Sequence, residues 1–151
     1  MKKLDRNDPH TRRILTASAF FLIMVIGMIY SSRRGEVSDT TYLSFWSSGC
    51  FTVADQDQKR AKVSYDEIRE AVFEAEPEYG EPVKGTTKDG MRLGIWESPT
   101  LGFYWNCTDV KVKSCVWIKT DDRTYAINVE SDETTRALYE AILKAMANVS
   151  E

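Results

Sequence analysis

The spacing of hydrophobic positions changes twice along this chain of 151 residues, and each change predicts a different kind of element. Residues 14–32 contain no charged side chain, and most of them are apolar. These 19 residues would rise about 28 Å as a helix, close to the roughly 30 Å hydrocarbon core of a bilayer. Because a helix satisfies its own backbone hydrogen bonds, this segment predicts one transmembrane helix.

The residues that flank the apolar segment support this interpretation. Arg13 and Arg33 bracket it, and Tyr30 stands where an interfacial aromatic side chain is favoured. Two alternatives stay open. One is a helix buried in a protein core, which the flanking arginines disfavour. The other is a cleaved signal peptide, for which Ser31 and Ser32 supply small residues, although Tyr30 fits the upstream cleavage position poorly.

After a polar linker at 33–40, the hydrophobic residues recur with a period of two, which predicts half-buried strands. Strand candidates in the first half lie at 42–46, 50–54 and 61–65. The alternation is clearest in the second half, in three sets of residues that each share a face: Leu101, Phe103, Trp105 and Cys107; Val112, Ser114, Val116 and Ile118; Tyr125, Ile127 and Val129.

Two stretches between these strands are less regular. Residues 64–76 fit either a helix that begins with a capping box at Ser64 and Glu67, or a short turn followed by a strand. The stretch from 77 to 100 contains Pro82 and several glycines, which predict loops and short strands.

The period changes again at Ser131, which is a favourable N-cap for a helix of roughly 16 residues. Asp132 and Glu133 in its first turn suit the positive end of the helix dipole. One apolar stripe predicts a single buried face and consists of Leu138, Ala141, Ile142 and Ala145. The pattern as a whole predicts an α+β fold, mainly β, in which this helix packs on a curled sheet.

Residues 42–147 resemble the small bacterial pleckstrin-homology-like (PH-like) domains. The resemblance rests on VSYDEI at 63–68, Gly85, RLG at 92–94, LGFY at 101–104 and VWIKTDDRTYAIN at 116–128. It implies a barrel or sandwich of roughly seven strands, capped by the C-terminal helix and often found beside a membrane span. It also implies a turn followed by a strand at 64–76.

The chain departs from this family at Arg123, where a glycine is usual in the last hairpin. A side chain at positive φ costs energy, so the turn at 121–123 is expected to be wider than a two-residue type I′ turn. The predicted organisation is a basic tail at 1–13, a transmembrane helix at 14–32, a linker at 33–40 and a PH-like domain at 41–149.

Charge separates the two ends of the chain. Residues 1–34 contain seven Lys/Arg and two Asp, for a net charge of +5, whereas the remainder contains 13 Lys/Arg and 21 Asp/Glu, for a net charge of −8. Five of the cations precede the apolar segment and two follow it. The positive-inside rule therefore predicts a single-pass cell-membrane protein with a cytoplasmic N-terminus and an extracytoplasmic body.

The sequence contains no recognisable catalytic or cofactor motif. Its only histidine, His10, lies in the basic tail, which excludes a Ser-His-Asp arrangement in the body. We therefore predict no enzyme activity, no cofactor, no metal and no nucleic-acid partner. Strand parity places Cys107 and Cys115 on opposite faces, so the candidate disulfide joins Cys50 to Cys115, with three reduced cysteines as the alternative.

Three residues are candidates for binding. Trp96 and Trp117 are expected to form an exposed contact surface, with packing under a helix or loop as the alternative. Arg92, or Lys84 with Lys88, is the candidate for a local basic site.

These features favour a membrane-anchored interaction module whose partner is a protein or peptide at the membrane surface, where tethering raises the effective concentration. The alternatives are a lipid-headgroup-binding domain, which the acidic body disfavours, a secreted β-rich domain left after signal cleavage, and a purely structural appendage.

Overall fold

The computed structural model describes residues 22–26, 42–46 and 49–149. Residues 22–26 are helical, and the other two ranges contain nine strands, a short 3-10 turn at Tyr65–Glu67 and a C-terminal helix. The elements are β1 (Leu43–Trp46), β2 (Cys50–Ala54), β3 (Arg60–Ser64), β4 (Glu70–Glu74), β5 (Glu81–Lys88), β6 (Met91–Ser98), β7 (Gly102–Asp109), β8 (Cys115–Lys119), β9 (Thr124–Ile127) and the helix Asp132–Val149.

The strands form a small sheet in the order β1-β2-β3 and a large sheet in the order β4-β8-β9-β7-β6-β5. All neighbouring strands are antiparallel except β7 and β9, which are parallel. The main core lies between the two sheets, where Phe51 and Val63 of the small sheet join one cluster with Leu93, Val116 and Ile118 of the large sheet. We call the face of the large sheet that lines this core the inner face, and the opposite one the outer face.

The predicted α+β, mainly β fold with a C-terminal helix is confirmed, but the strands outnumber the prediction, and of the two predicted arrangements, barrel and sandwich, the closed barrel is wrong. The structure has more than the expected seven or so strands. Within residues 42–46 and 49–149, no hydrogen-bonded ladder joins an edge of the small sheet to an edge of the large one, so the sheets do not close into a barrel.

Between residues 77 and 100 the strands are longer and more regularly paired than the predicted loops and short strands. β5 and β6 form a regular hairpin, joined by Asp89 and Gly90, which both have positive φ as a two-residue type I′ turn requires. Pro82 lies at a bulge of the edge strand β5, where a missing N–H is tolerated. Gly85 and Gly94 pair directly and allow a close backbone approach, so they do not end the strands.

Two turns agree with the predictions, the first with what the resemblance implied and the second with the departure from it at Arg123. At residues 64–76 the chain forms a 3-10 turn and then β4, and the Glu67 carboxylate accepts a hydrogen bond from the Ser64 N–H at 3.0 Å. The helix alternative for this stretch is therefore wrong. In the last hairpin Lys119 pairs with Thr124, which leaves the four residues 120–123 as the loop. The turn is thus wider than a type I′ turn, as Arg123 predicted.

The C-terminal helix begins as predicted. The Ser131 hydroxyl accepts a hydrogen bond from the Thr134 N–H at 3.1 Å, which is the N-cap interaction. The helix packs on β4 and β8 of the large sheet. The predicted stripe is confirmed because its four members are fully buried in the main core: Leu138, Ala141, Ile142 and Ala145.

Asp132, the first residue of this helix, ties it to the turn before β8. Its carboxylate accepts hydrogen bonds from the Ser114 hydroxyl and the Ser114 N–H, both at 2.7 Å. These bonds hold the pKa of Asp132 below its ordinary value. A carboxyl group with a lowered pKa stabilises the folded state above its unfolded-state pKa, and this contribution is lost as the pH falls through the folded-state pKa.

We therefore expect Asp132→Asn to make the acid-induced loss of stability shallower between about pH 5 and pH 2. Urea denaturation at a series of pH values measures this dependence. Glu133→Gln is the matched control, because it removes a charge from the same helical turn without touching Ser114. Identical pH profiles for the two variants would contradict the role assigned to Asp132.

Residues 22–26 are the only described part of the predicted transmembrane helix, and they contact the body. Ile23 and Ile26 are 1% and 5% exposed and belong to the main core, whereas Leu22 is 43% exposed. In the parts of the chain that the structure describes, no helix is both long and apolar enough to cross a bilayer. The rest of 14–32, the tail at 1–13 and the linker at 33–40 lie outside these parts.

Candidate binding surface

The three predicted binding residues, Arg92, Trp96 and Trp117, all lie on the outer face of the large sheet. Trp117 alternates with Val116 and Ile118, which line the main core. On the outer face a second hydrophobic cluster forms, which we call the outer cluster: it consists of Trp96, Tyr104, Cys115, Trp117 and Ala126, with Tyr79 packed against them.

Residues 75–80, which we call the strap, cover this cluster. They connect β4 to β5, the two opposite edges of the large sheet, so they have to cross the sheet. The Tyr79 ring centroid lies 6.2 Å from that of Trp117, and the Tyr79 carbonyl accepts a hydrogen bond from the Tyr104 hydroxyl at 2.6 Å. Gly80 has a φ of +72°. It lies so close to β6 that an added Cβ would be 2.0 Å from the Glu97 carbonyl oxygen.

The strap buries both tryptophans. Trp96 is 6% and Trp117 is 7% exposed, so the expected exposed tryptophan surface is wrong and the alternative, packing beneath a loop, is confirmed. Both indole N–H groups are satisfied: Trp96 donates to the Leu93 carbonyl at 3.1 Å and Trp117 to the Glu74 carboxylate at 2.6 Å. The alternation with lysines predicted which face Trp117 occupies, but nothing local in the sequence indicated the strap.

Arg92 helps to hold the strap in place. Its guanidinium carbon lies 4.2 Å from the Tyr79 ring centroid, a cation–π contact. A chain of side-chain hydrogen bonds continues from it. Arg92 donates to the Thr108 hydroxyl at 3.5 Å, and Thr108 donates to Asn106 Oδ1 at 2.7 Å. Asn106 Nδ2 then donates to the Tyr104 hydroxyl at 3.1 Å. Since Asn106 and Thr108 are buried, this network pins the strap to the sheet.

The other predicted cations do not join Arg92. Lys84 pairs with Ile95, and Lys88 pairs with Met91. Met91 and Ile95 alternate with Arg92 along β6, so they and the lysines paired with them belong to the inner face. The structure thus places the two alternative candidates for a basic site on opposite faces of the large sheet.

The predicted disulfide is not formed. Cys50 lies in the small sheet, whereas Cys115 lies in the outer cluster, and the large sheet separates them.

The Tyr79 hydroxyl is buried next to Cys115 and Thr108, without a hydrogen bond of good geometry. Burial raises the pKa of the Cys115 thiol, so it stays protonated at neutral pH and is a poor nucleophile or metal ligand.

The inner face has an exposed end that the sequence did not indicate. In the hairpin of β6 and β7, Ile95 pairs with Trp105, and the next residues on the same face are Glu97 and Phe103. Ile95 and Trp105 are half-buried, but Phe103 is 64% exposed. With the exposed Leu101 in the hairpin turn, they form a surface that we call the hairpin patch: Ile95, Leu101, Phe103 and Trp105.

The hairpin strands are longer than the strands of the small sheet. β6 and β7 have eight residues each, whereas the strands of the small sheet have four or five. At about 3.3 Å per residue the small sheet is roughly 10 Å shorter than the hairpin. The sequence correctly placed Phe103, Trp105 and Cys107 on one face, but only the structure shows that Phe103 is exposed.

Charged side chains border the hairpin patch. Glu97 pairs with Phe103 on one side and with Glu81 of the edge strand on the other, and both carboxylates are exposed. Like charges directly opposite one another destabilise a sheet. On the other border, the guanidinium carbon of Arg123 lies 5.6 Å from the Trp105 ring centroid.

The fold and its surfaces define a mainly β domain of two sheets with one C-terminal helix. No protein-family model, curated protein or solved structure matches this chain. In residues 22–26, 42–46 and 49–149, no group of three His, Cys, Asp or Glu side chains is arranged to hold a metal ion.

Proposed function

We propose that this protein is a non-enzymatic interaction module, attached to the membrane through residues 14–32, which binds a protein partner with its hairpin patch. The observation that carries the proposal is Phe103, which is 64% exposed although it continues an apolar stripe that begins in the core. A large aromatic side chain on a rigid hairpin loses little conformational entropy on binding and removes much apolar area from water.

The charges next to Phe103 indicate the chemistry of the partner. Glu81 and Glu97 face each other across β5 and β6, and a Lys or Arg from a partner would relieve their repulsion. The partner segment is therefore a protein surface or peptide that presents an apolar side chain beside a basic one. A lipid headgroup suits this surface less well, because the body carries a net charge of −8 and anionic lipid would repel it.

The membrane attachment supports the same role. Tethering raises the effective concentration of the body near other membrane proteins, so a patch of a few side chains is sufficient for binding. By the positive-inside rule the body would act outside the cytoplasm. The resemblance to bacterial PH-like domains supports a binding function over a catalytic one.

A pair of variants of the full-length chain tests the hairpin patch. We expect Phe103→Ser to reduce crosslinking to a membrane-bound protein partner at least about tenfold, while the free energy of unfolding changes by less than about 0.5 kcal/mol. Leu143→Ser is the control, because Leu143 is an exposed apolar residue on the C-terminal helix, away from the hairpin.

A charge reversal tests the partner's chemistry. Glu97→Lys is expected to weaken the same crosslink, whereas Glu140→Lys on the C-terminal helix leaves it unchanged.

Equal losses of crosslinking with Phe103→Ser and Leu143→Ser would contradict the proposal. Salt-sensitive flotation of the isolated body with anionic vesicles would favour the lipid-headgroup alternative.

A further inference from the structure

The contact between residues 22–26 and the body is not explained by a permanent membrane anchor. These residues are helical and lie at the middle of the predicted span, and Ile23 is its central residue. Yet Ile23 and Ile26 are buried in the same cluster as the side chains of both sheets and of the C-terminal helix.

The exposure of these residues shows a helix docked by one face. Ile23 and Ile26 are three positions apart, so they lie on the same side of the helix. Leu22, one position away, is exposed, and Met24 and Val25 are half-buried. One-sided burial is the pattern of an amphipathic contact with a protein core, although the sequence of the segment is apolar on every side.

Docking and membrane insertion exclude each other. If residues 14–32 span a bilayer, Ile23 lies about 15 Å from either end of the span, at the centre of the hydrocarbon. The body cannot follow Ile23 to that depth, because its surface carries many charged side chains that are costly to place in lipid. The segment therefore has two separate destinations, the core of the body and the bilayer.

We propose that residues 22–26 belong to a reversible tether, which the main core of the body holds through Ile23 and Ile26 in water and releases when the segment inserts into lipid. The bilayer and the body then compete for the same apolar side chains. The docked and the inserted states of the segment are in equilibrium, and the population of each depends on the difference between their free energies. Any change that weakens docking therefore favours insertion. The proposal shares the predicted membrane span with the proposed function, but it does not depend on the hairpin patch.

Two alanine variants of the full-length chain separate docking from insertion. Ile23→Ala and Leu22→Ala each remove a branched aliphatic side chain from the same segment, so they lower the intrinsic affinity for lipid alike. Only Ile23 is buried in the body. Without lipid or detergent, we expect Ile23→Ala to lower the melting temperature of the body by at least about 5 °C and Leu22→Ala to change it by less than about 1 °C.

Vesicles of neutral phosphatidylcholine provide the second measurement. A larger fraction of Ile23→Ala than of Leu22→Ala should float with the vesicles, because weaker docking offsets part of its lost lipid affinity. The difference in melting temperature between the two variants should disappear in the vesicle-bound chains, where the core no longer uses Ile23.

Three results would overturn the reversible tether. Equal melting temperatures without lipid would show that Ile23 does not dock, and a difference that persists on vesicles would show that it never leaves the core. Failure of the wild-type chain to float would make the segment a permanent core helix. None of these readouts involves Phe103, so loss of the hairpin-patch function would leave them unchanged. Failure of the wild-type chain to float would also remove the membrane attachment from the proposed function, whereas the other two results would leave that attachment intact.

Discussion

Replacing Trp117 with alanine is expected to lower the free energy of unfolding of the body by about 3–5 kcal/mol. The indole fills the outer cluster, where its ring centroid lies 4.9 Å from that of Tyr104 in an edge-to-face arrangement. Its removal leaves a cavity under the strap, breaks the aromatic pairs with Tyr104 and Tyr79, and removes the hydrogen bond to Glu74. Urea denaturation followed by far-UV circular dichroism measures the change.

Phe103→Ala is the control for this prediction. It also removes an aromatic side chain from the large sheet, but from an exposed position, so the expected change is within about 0.5 kcal/mol. A loss for Trp117→Ala no larger than that for Phe103→Ala would mean that the outer cluster is open to water and that the strap does not cover it.

Replacing Gly80 with alanine is expected to detach the strap. The substitution has a backbone cost of about 1 kcal/mol for an alanine at positive φ. In addition, the new Cβ would lie 2.0 Å from the carbonyl oxygen of Glu97, a backbone atom that cannot move without disturbing β6. We expect this clash to cost about 1–3 kcal/mol more, and we expect exposure of Trp96 and Trp117 to shift the tryptophan emission to longer wavelength.

Gly90→Ala is a closely matched control. Gly90 has a φ of +75°, against +72° for Gly80, but an added Cβ there meets no atom within 4 Å. The two variants therefore share the backbone cost and differ only in the clash. Equal destabilisation, or an unchanged emission spectrum for Gly80→Ala, would refute the close contact between the strap and β6.

Local periodicity was sufficient to assign side chains to faces. The alternation around Val116 and Ile118 and the stripe around Leu138 both agree with the buried positions in the structure. This succeeds because the periods of two and 3.6 residues are properties of the strand and the helix themselves and need no knowledge of distant residues. Local periodicity does not reveal the long hairpin of β5 and β6, because Pro82, Gly85 and Gly94 resemble strand breaks. The stronger signal there is Asp89–Gly90, a sequence that favours a type I′ turn.

The candidate site depended on contacts between distant parts of the chain. Arg92, Trp96 and Trp117 were singled out from the sequence, and they do lie on one face, but the strap closes over them. Whether a connection crosses a face depends on which strands occupy the sheet edges, and the strand order is not a local property. The exposure of Phe103 likewise depends on how distant parts of the chain cover the inner face, and local periodicity does not contain that information.

For the N-terminal segment, the sequence by itself determined that residues 14–32 are apolar enough to leave water. Only the tertiary structure showed a protein surface that accepts part of this segment, through Ile23 and Ile26. The reason is that the hydrophobic effect is non-directional: it drives an apolar side chain out of water but does not choose between lipid and a protein core. That choice depends on the shape of the core, which forms only when distant strands and the C-terminal helix have come together.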